Sequence, residues 1–374
     1  MQPTIVMGIM SGTSLDGVDY ALCAVSGAGV ELLALWRARF PRALQARLHA
    51  AARGATTSWE LAQLHHDLGR FYAEQAKPPA RSPRPQLAGL HGQTVFHNPD
   101  PNSPATLQIG EPAYLAGKLR VPVVSNFRAA DIAAGGQGAP LATAFHVRVF
   151  GRRGRHVGVN NLGGISNVTS IDWRRGAEPA VLAFDTGPAN VLIDLAMRHF
   201  TGGRRCLDHD GAWAARGQVS EPLLRRWIEH PFFRQRPPKS TGRELFGEPL
   251  FKQALTLAGR RRLSRFDFVA TLTEFTARSI AENYRRHFET PPQIVVLSGG
   301  GAANPKLVAG IRASLRALDP SMEVVTSAER GWPVESLEPA AFAYLAWLRV
   351  RGQAGNLPGT TGATSPVLCG QISG

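Results

Sequence analysis

Cysteine is scarce in this chain of 374 residues, and its three copies, Cys23, Cys206 and Cys369, are widely separated and form no CxxC pair. This pattern argues against a disulfide framework and against a cysteine-based zinc site. The chain also lacks an apolar run of about 18 residues, so no membrane-spanning helix is predicted. No basic stretch precedes an apolar segment at the start of the sequence, so we expect no signal peptide and a cytoplasmic protein.

Acidic residues are few, because 28 Asp and Glu stand against 42 Lys and Arg and give a formal net charge of +14. Such a charge can indicate nucleic-acid binding. The basic runs are short, however, as at Arg152-Arg153 and Arg260–Arg262, and aromatic residues are not interleaved with them. We therefore expect solvated arginines and an anionic ligand, and no nucleic acid. The alternative, a nucleic-acid binder, predicts a steeply salt-dependent affinity for DNA.

The composition that remains, with 44% hydrophobic residues, is that of a soluble globular protein, and the length favours two domains. Strand-like and helix-like segments alternate, which is typical of an α/β protein. Each half opens with a strand, a glycine-rich turn and a returning strand. These strands are predicted at Thr4–Met10 and Val18–Val25 in the first half, and at His156–Asn160 and Val168–Ile171 in the second.

Two later segments have helical periodicity, Thr273–His287 and Glu338–Val350. The tail from Gly352 is rich in Gly, Thr and Pro, and it is predicted to be a loop.

Three glycine-rich loops follow predicted strands, at Ser11–Ser14, Asn161–Asn167 and Ser298–Gly301. Glycine lets the main chain approach a phosphate closely, and the N–H groups of such turns bind anions. Each loop alone is equally typical of an ordinary hairpin turn, and no P-loop or GxGxxG motif occurs. Three such loops in this order predict a nucleotide held in a cleft between two domains, which is the plan of the actin-like, sugar-kinase-type ATPases.

Asp185 is the strongest candidate for a catalytic carboxylate, because it ends the apolar strand Val181–Phe184 and precedes a predicted sharp turn at Thr186–Pro188. Phosphoryl transfer needs a carboxylate near the acceptor. The alternative for Asp185 is a helix N-cap. Asp16 and Asp19 follow the first glycine turn, where a carboxylate can hold Mg²⁺, Asp16 through water; both could instead be solvated turn residues.

Two further sets of polar residues lie in predicted loops. Asp208 and Asp210 suit either a metal contact or helix capping. The other set suits hydrogen bonding to a sugar, although each member could equally be a satisfied turn residue, and it comprises His91, Gln93, Gln108, Glu111, Arg128 and Asp131.

The same residues carry a family resemblance over nearly the whole chain. The segment Gly8–Asp19 (GIMSGTSLDGVD) is similar to the opening motif of the anhydro-N-acetylmuramic acid kinases. Further motifs match in order: LHGQTVFHNP (90–99), QIGEP (108–112), NFRAADIAAGGQGAPL (126–141), NLGGISNVT (161–169), FDTGPAN (184–190), DHDGAWAARG (208–217), PPKSTGRELF (237–246) and LSGGGAANP (297–305).

The resemblance implies a two-lobed actin-like (duplicated ribonuclease H-like) ATPase fold with the nucleotide cleft between the lobes. We expect lobes at 1–130 and 131–351, with the tail 352–374 packing back on the first. The implied reaction uses ATP and Mg²⁺ to convert 1,6-anhydro-N-acetylmuramic acid into N-acetylmuramic acid 6-phosphate during peptidoglycan recycling. A homodimer is also implied.

The resemblance also assigns site residues. Asp185 would be the catalytic base, which takes a proton from the water that attacks C1 while O6 attacks the γ-phosphorus. The ATP-binding residues would be Gly12, Thr13, Ser14, Leu15, Asp16, Gly17, Val18, Asp19, Asn161, Gly163, Gly164, Gly299, Gly300 and Gly301.

Two positions depart from the family pattern. Ala189 stands where FDTGPGN has Gly, and Pro339 replaces the usual Ala after Glu338, where it suits the first position of a helix that starts at Glu338. Neither change removes a reactive group. A rival interpretation of the whole chain is a non-catalytic actin-like switch that binds ATP and a protein partner. It would not need the polar set or a carboxylate aimed at the cleft.

Overall fold

The computed structural model describes residues 2–12, 14–100 and 102–374. The strands in this part of the chain are β1 (Thr4–Ser11), β2 (Gly17–Val25), β3 (Val30–Arg39), β4 (Leu87–Asn98), β5 (Ala105–Ile109), β6 (Val123–Ser125), β7 (His156–Leu162), β8 (Ile165–Asp172), β9 (Ala180–Pro188), β10 (Ile294–Ser298), β11 (Glu323–Thr326) and β12 (Gln371–Ser373).

The α-helices of the same residues are α1 (Arg42–Ala52), α2 (Ser58–Gln75), α3 (Pro112–Leu119), α4 (Ala129–Ala133), α5 (Ala142–Phe150), α6 (Val191–Thr201), α7 (Glu221–Ile228), α8 (Arg243–Phe246), α9 (Glu248–Arg260), α10 (Arg265–His287), α11 (Pro305–Arg316), α12 (Leu337–Val350) and α13 (Pro358–Thr361). Among these helices, none is both long and apolar enough to cross a membrane.

The chain divides into two compact units, Met1–Val149 with Glu335–Gly374, and Phe150–Val334. This division differs from the expected lobes, because residues 131–149 and 335–351 fall in the first unit. The physical reason is the packing of α12, whose main chain lies directly on two strands of the first unit. A Cβ added to Gly8 of β1 would lie 1.7 Å from the carbonyl oxygen of Pro339, and one added to Gly89 of β4 would lie 2.2 Å from that of Phe342.

The first unit is built on a sheet of strand order β12-β6-β4-β1-β2-β3, with β5 paired to β4. Strands β1, β2 and β3 form an antiparallel meander, while β4 is parallel to β1 and β6 is parallel to β4. The prediction that the tail is only loop is wrong. Gln371–Ser373 forms a strand antiparallel to β6, because the exposed edge of β6 offers it main-chain partners.

The second unit repeats this arrangement with the strand order β11-β10-β7-β8-β9. Here β7, β8 and β9 are the antiparallel meander, and β10 and β11 are the parallel strands that follow. The second unit therefore has the order third, second, first, fourth, fifth, which is the ribonuclease H-like topology. The first unit has the same order with β6 in the fifth place, and β5 and β12 are additions to it. The duplicated fold expected from the sequence is confirmed.

The long helix α10 begins eight residues before its predicted start at Thr273. Its N-terminus is fixed by a capping box, in which the Asp267 N–H donates to Ser264 Oγ over 3.2 Å and the Ser264 N–H donates to Asp267 Oδ2 over 3.2 Å. Pro339 also differs from expectation, because α12 begins at Leu337 and makes Pro339 its third residue. The first four N–H groups of a helix lack intrahelical acceptors, so proline there costs no hydrogen bond.

Candidate functional site

The first glycine turn is fastened to the neighbouring strand β4. Ser11 Oγ lies 2.6 Å from the Tyr72 hydroxyl and donates to the carbonyl of Gly92 over 3.1 Å. Gln93 Nε2 donates to the Gly12 carbonyl over 3.1 Å. Of the described residues, a Cβ added to Gly12 would meet only Ser14 Oγ, at 3.9 Å, so the turn is open on that side as far as these residues go. Thr13, the other predicted hydroxyl donor here, lies outside the described residues.

Of the other residues predicted to bind ATP in this turn, three can offer only main-chain groups, and Ser14 orients a carboxylate. The side chains of Leu15 and Val18 are buried in the core, and Gly17 packs against the carbonyl of Ala38 at 2.5 Å from its missing Cβ. Only the main chain of these three residues is therefore available to a phosphate. The hydroxyl of Ser14 donates to Asp16 Oδ1 over 2.7 Å, so it orients a carboxylate.

Asp16 and Asp19 share one cation, Arg37, whose NH2 lies 2.7 Å from Asp16 Oδ1 and whose Nε lies 3.7 Å from Asp19 Oδ1. Asp16 is exposed. Burial raises the pKa of Asp19 to about 6, because it outweighs the opposing effect of Arg37. Asp19 Oδ1 is buried and accepts no hydrogen bond from a described residue. Such an oxygen is suited to coordinate a cation.

The carboxylates of Asp16 and Asp19 suit Mg²⁺ better than a metal ion whose ligands all come from the protein. Among the described residues no group of three or more His, Cys, Asp or Glu is arranged to hold a metal ion. Mg²⁺ keeps several of its waters and takes one or two carboxylates together with substrate phosphates. Asp16 and Asp19 therefore fit it, with the remaining positions left to water and phosphate.

His91 and Arg128, two predicted sugar-binding residues, contact each other. Arg128 donates from Nε and NH2 to His91 Nε2 over 3.1 and 2.8 Å, and from NH1 to the Gly138 carbonyl over 2.7 Å. Burial and the Arg128 charge hold the pKa of His91 well below its usual value, so the ring is neutral. Its Nδ1–H then donates to the Gly92 carbonyl over 2.8 Å, and Nε2 is the acceptor.

Gln93 and Gln108 have amide oxygens that no described group satisfies, although both oxygens are buried. In the β4–β5 ladder Gln93 is opposite Ile109 and Gln108 is opposite Thr94, so the two side chains point to opposite faces of the sheet. Gln108 Nε2 is held by the hydroxyls of Thr106 and Thr94, at 2.7 and 3.3 Å. Because an unpaired buried acceptor is costly, each of these oxygens is suited to a ligand group with an O–H or N–H donor.

Glu111 and Asp131 have carboxylates that the protein itself satisfies. Glu111 caps α3, with Oε1 accepting from the Ala113 N–H over 2.9 Å, and Oε2 lies 3.1 Å from His65 Nε2. Asp131 is fully buried. Its three donors, each at 2.7 Å, are the Gly138 N–H, Asn356 Nδ2 and Thr361 Oγ1. Both residues therefore act within the fold, and the substrate role expected of them finds no support in their geometry.

In the second unit, two predicted glycine loops lie against each other. A Cβ on Gly299 would fall 2.2 Å from Asn161 Oδ1, and one on Gly301 would fall 2.8 Å from Leu162 Cβ. Gly299 also has a φ of +76°, which favours glycine. A Cβ on Gly300 would meet no described atom within 4 Å, so that residue faces open space in the described part of the chain. Two of the three glycines are therefore needed for packing, and the third is free to approach a ligand.

The turn Gly163-Gly164 is held to the start of α6. The N–H groups of Asn190 and Ala189 donate to the carbonyls of Gly163 and Gly164, over 3.0 and 2.9 Å. Asn190 Nδ2 also donates to the Gly163 carbonyl over 2.8 Å. Both carbonyls therefore accept hydrogen bonds within the unit, and a phosphate would have to bind through N–H groups of the turn. Ala189 is completely buried beneath it.

Asp185 lies within β9, which continues to Pro188. The predicted strand end at Asp185 and the turn at 186–188 are therefore wrong. The strand continues because Gly187 and Pro188 pair with Ser166 and Ile165 of β8, past a bulge at Thr186. The bulge is held by Thr186 Oγ1, which donates to Ser166 Oγ over 2.7 Å, and by the Thr186 carbonyl, which accepts from Asn283 Nδ2 over 2.8 Å. Asp185 is not a helix N-cap either, since Asn190 occupies that position for α6.

A segment before α8, residues 239–241, lies along Asp185. The Asp185 N–H donates to the Lys239 carbonyl over 3.0 Å, and the Thr241 N–H donates to Asp185 Oδ2 over 2.8 Å. Burial raises the pKa of Asp185 to about 6; the Thr241 hydrogen bond lowers it and the charge of Glu244 raises it. A partly buried carboxylate with a pKa near neutrality is suited to general-base catalysis.

Several residues of these sites escaped sequence reasoning. Lys239 and Thr241 belong to the PPKSTGRELF motif, which gave no hint of their contact with Asp185. Thr241 Oγ1 is buried without a partner among the described residues. Glu338 acts electrostatically on both Arg128 and Asp19.

Asp208 and Asp210 have different surroundings. Asp208 accepts from the N–H groups of Trp213 and Ala214 over 2.9 and 3.0 Å, so its carboxylate is bonded within the fold, but it makes no side-chain cap bond to the short turn His209–Gly211 that follows it. Asp210 is exposed and lies 2.8 Å from His209 Nδ1.

Two ribonuclease H-like units, each opened by a strand–glycine turn–strand element, define the actin-like class of ATPases and sugar kinases. The sequence profile of the anhydro-N-acetylmuramic acid kinases matches residues 4–374. This chain is 42% identical to the anhydro-N-acetylmuramic acid kinase of Acaryochloris marina over 98% of its own length and 99% of that protein. The enzyme of that name from Synechocystis sp. is 40% identical over 98% and 97%. The chain therefore belongs to the anhydro-N-acetylmuramic acid kinase family.

A more distant likeness links the chain to a solved structure of the activator of the 2-hydroxyisocaproyl-CoA dehydratase from Clostridium difficile with bound ADPNP. The two are 11% identical, with a TM-score of 0.44, over 93% of this chain and 96% of that one.

Proposed function

We propose that this protein is an ATP-dependent kinase that opens 1,6-anhydro-N-acetylmuramic acid with water and phosphorylates O6, giving N-acetylmuramic acid 6-phosphate and ADP. Membership of the anhydro-N-acetylmuramic acid kinase family supports the substrate. The observation that carries the chemistry is Asp185, a carboxylate fixed by the Thr241 N–H and raised to a pKa of about 6 by burial.

The reaction needs one base and no separate acid. Asp185 removes a proton from a water that attacks C1 of the sugar, and the C1–O6 bond breaks. The released O6 attacks the γ-phosphorus, so the phosphoryl group takes the place of the proton that an acid would otherwise supply. The bond from the γ-phosphorus to the β,γ-bridging oxygen breaks, and ADP leaves. The proton on Asp185 returns to solvent.

Charge neutralisation falls to main-chain N–H groups and to Mg²⁺. The glycine turn around Gly12, the turn around Gly163 and the open residue Gly300 would supply main-chain N–H groups to the phosphates of ATP. Asp16 and Asp19 would hold Mg²⁺, which supplies positive charge to the β- and γ-phosphates when bound. The support is the open side of Gly12 and Gly300, and the buried Asp19 oxygen that accepts no hydrogen bond from a described residue.

The sugar would be bound by polar residues of the first unit that still have hydrogen-bonding groups available to a ligand. Gln93 and Gln108 each offer a buried amide oxygen. His91 and Arg128, which are hydrogen-bonded to each other, are the other two candidates. We place the enzyme in the cytoplasm as a homodimer that acts in peptidoglycan recycling, as the family resemblance implies.

A coupled assay tests the proposal. ADP release is measured with and without 1,6-anhydro-N-acetylmuramic acid, and the sugar product is analysed by mass spectrometry. The expected result is ADP release that depends on the sugar, with a product that has gained one water and one phosphoryl group. ATP turnover that does not respond to the sugar would instead support a nucleotide switch.

A further inference from the structure

The amine of Lys239 is buried, which is unusual for a lysine. Its side chain is 8% exposed, and its Nζ donates to the Phe232 carbonyl and to His287 Nε2, each over 3.1 Å. Nζ also lies 4.5 Å from the centroid of the Phe232 ring and 5.9 Å from that of Phe184. Among the described residues no carboxylate lies within ion-pair distance of it. A buried ammonium held only by neutral groups is costly.

The electrostatics of the pair agree with this geometry. Burial and the charge of Arg286 lower the pKa of Lys239 to about 8. Burial and the Lys239 charge lower the pKa of His287, so its neutral ring accepts the hydrogen bond at Nε2. The amine is therefore bonded to α10 and to the 3₁₀ turn at Pro231–Arg234, two elements that border the core of the second unit.

The main chain of Lys239 connects this anchor to the proposed base. Its carbonyl accepts from the Asp185 N–H over 3.0 Å, and two residues later the Thr241 N–H donates to Asp185 Oδ2 over 2.8 Å. The Lys239 amine is therefore the side-chain contact that ties residues 239–241 to Phe232 and His287, and the main chain of the same residues makes both contacts to Asp185. A shift at position 239 moves the donor that orients the carboxylate.

We propose that Lys239 is a positioning residue for the general base: its amine, fixed by Phe232 and His287, holds residues 239–241 so that the Thr241 N–H orients the Asp185 carboxylate. This inference rests on the proposed function of Asp185. It adds a residue that touches neither the reacting water nor a phosphate, and acts through Thr241.

The test is Lys239→Met, which keeps the length of the stem and removes the amine. Loosening of the Thr241 hydrogen bond raises the Asp185 pKa, because that bond favours the charged carboxylate. We expect kcat to fall about tenfold with an unchanged KM for ATP, since a small misplacement of a catalytic group is costly. We also expect the acidic limb of the kcat–pH profile to move up by about half a unit.

Lys252→Met, an exposed lysine on α9, is the matched control and should leave both quantities unchanged. If Lys239→Met does not fold, substitutions of His287, the hydrogen-bond partner of the Lys239 amine, provide the same test. His287→Leu removes the acceptor of the amine, whereas His287→Gln keeps one, so the first should shift the acidic limb and the second should restore most of it. The other charged groups near these residues, Arg286, Glu282 and Glu244, are left unchanged.

Titration of the Asp185 carboxylate by ¹³C NMR, with the signal identified by its loss in Asp185→Asn, separates this inference from the proposed function. A raised Asp185 pKa in Lys239→Met supports the positioning role even if the wild type shows no sugar-dependent turnover, which would refute only the kinase. An unchanged Asp185 pKa and acidic limb, with nothing but a lower melting temperature, would overturn the positioning role.

Discussion

The main-chain N–H of Thr241 donates to Oδ2 of Asp185 over 2.8 Å, and it opposes the burial that raises the pKa of this carboxylate to about 6. The two effects leave Asp185 charged at neutral pH but still a usable base. A free aspartate, with a pKa near 3.8, would be a much weaker base.

The first prediction concerns the pH dependence of turnover. Asp185 must be deprotonated to accept a proton, so kcat should fall about tenfold per unit below pH 6 and level off above pH 7. Saturating ATP, sugar and Mg²⁺ keep binding effects out of the measurement. A kcat that stays constant down to pH 4.5 would mean that Asp185 is not the titrating base.

The second prediction concerns stability. The pKa of Asp185 is higher in the folded protein than in the unfolded chain, so its contribution to stability is present below pH 3.8 and is lost as the pH rises through about 6. Asp185→Asn has no such loss, and its amide oxygen can still accept from Thr241. The variant should be more stable than wild type at pH 8, by about 1–2 kcal/mol after allowance for partial exposure.

Chemical denaturation at pH 8 and pH 4 checks this result. The difference between the two proteins should shrink towards zero at pH 4, where the wild-type carboxylate is protonated. A variant that is less stable than wild type at pH 8 would contradict the assigned direction of the pKa shift.

The third prediction concerns Mg²⁺. Asp19→Asn removes a charged ligand, so the Mg²⁺ concentration for half-maximal activity should rise about tenfold or more, whereas the exposed substitution Glu31→Gln should not change it. Because burial raises the Asp19 pKa to about 6, the wild-type Mg²⁺ requirement should also increase as the pH falls through that value. Titrations of activity with MgCl₂ at pH 5.5 and 8 provide the measurement. Equal requirements for wild type and Asp19→Asn would remove Asp19 from the metal site.

The fourth prediction concerns the departure at position 189. Ala189 is completely buried and its φ is not in the left-handed region, so alanine fits there without strain. Ala189→Gly should lower the free energy of unfolding by about 1 kcal/mol, through lost packing and a more flexible unfolded chain. Sugar-dependent kcat should stay within about twofold of wild type, since no reactive group changes. A large gain in kcat would show that the methyl group disturbs the site.

The sequence predicted the parts of the molecule that local pattern determines. Strand–glycine turn–strand elements are visible as apolar runs interrupted by glycine, and they appear in both units. Residue contacts between distant segments were not predictable in this way. The predicted strand end at Asp185 does not exist, because β9 is extended by its pairing with β8 and by the bond from Asn283 to the Thr186 carbonyl, and these contacts join segments far apart in sequence.

The polar set shows the same limit. Asp131 and Gln93 look alike in sequence, as polar residues in predicted loops. The structure separates them, because Asp131 has three internal donors from segments up to 230 residues away, while the amide oxygen of Gln93 has none among the described residues. Only tertiary packing decides which polar group remains available for a ligand.

The most direct test of the mechanism is the turnover of Asp185→Asn with ATP and 1,6-anhydro-N-acetylmuramic acid, measured beside its affinity for ATP. We predict a loss of kcat of at least about a hundredfold, the usual contribution of a general base, with the dissociation constant of ATP unchanged. Sugar-dependent turnover close to that of wild type would show that another group activates the water.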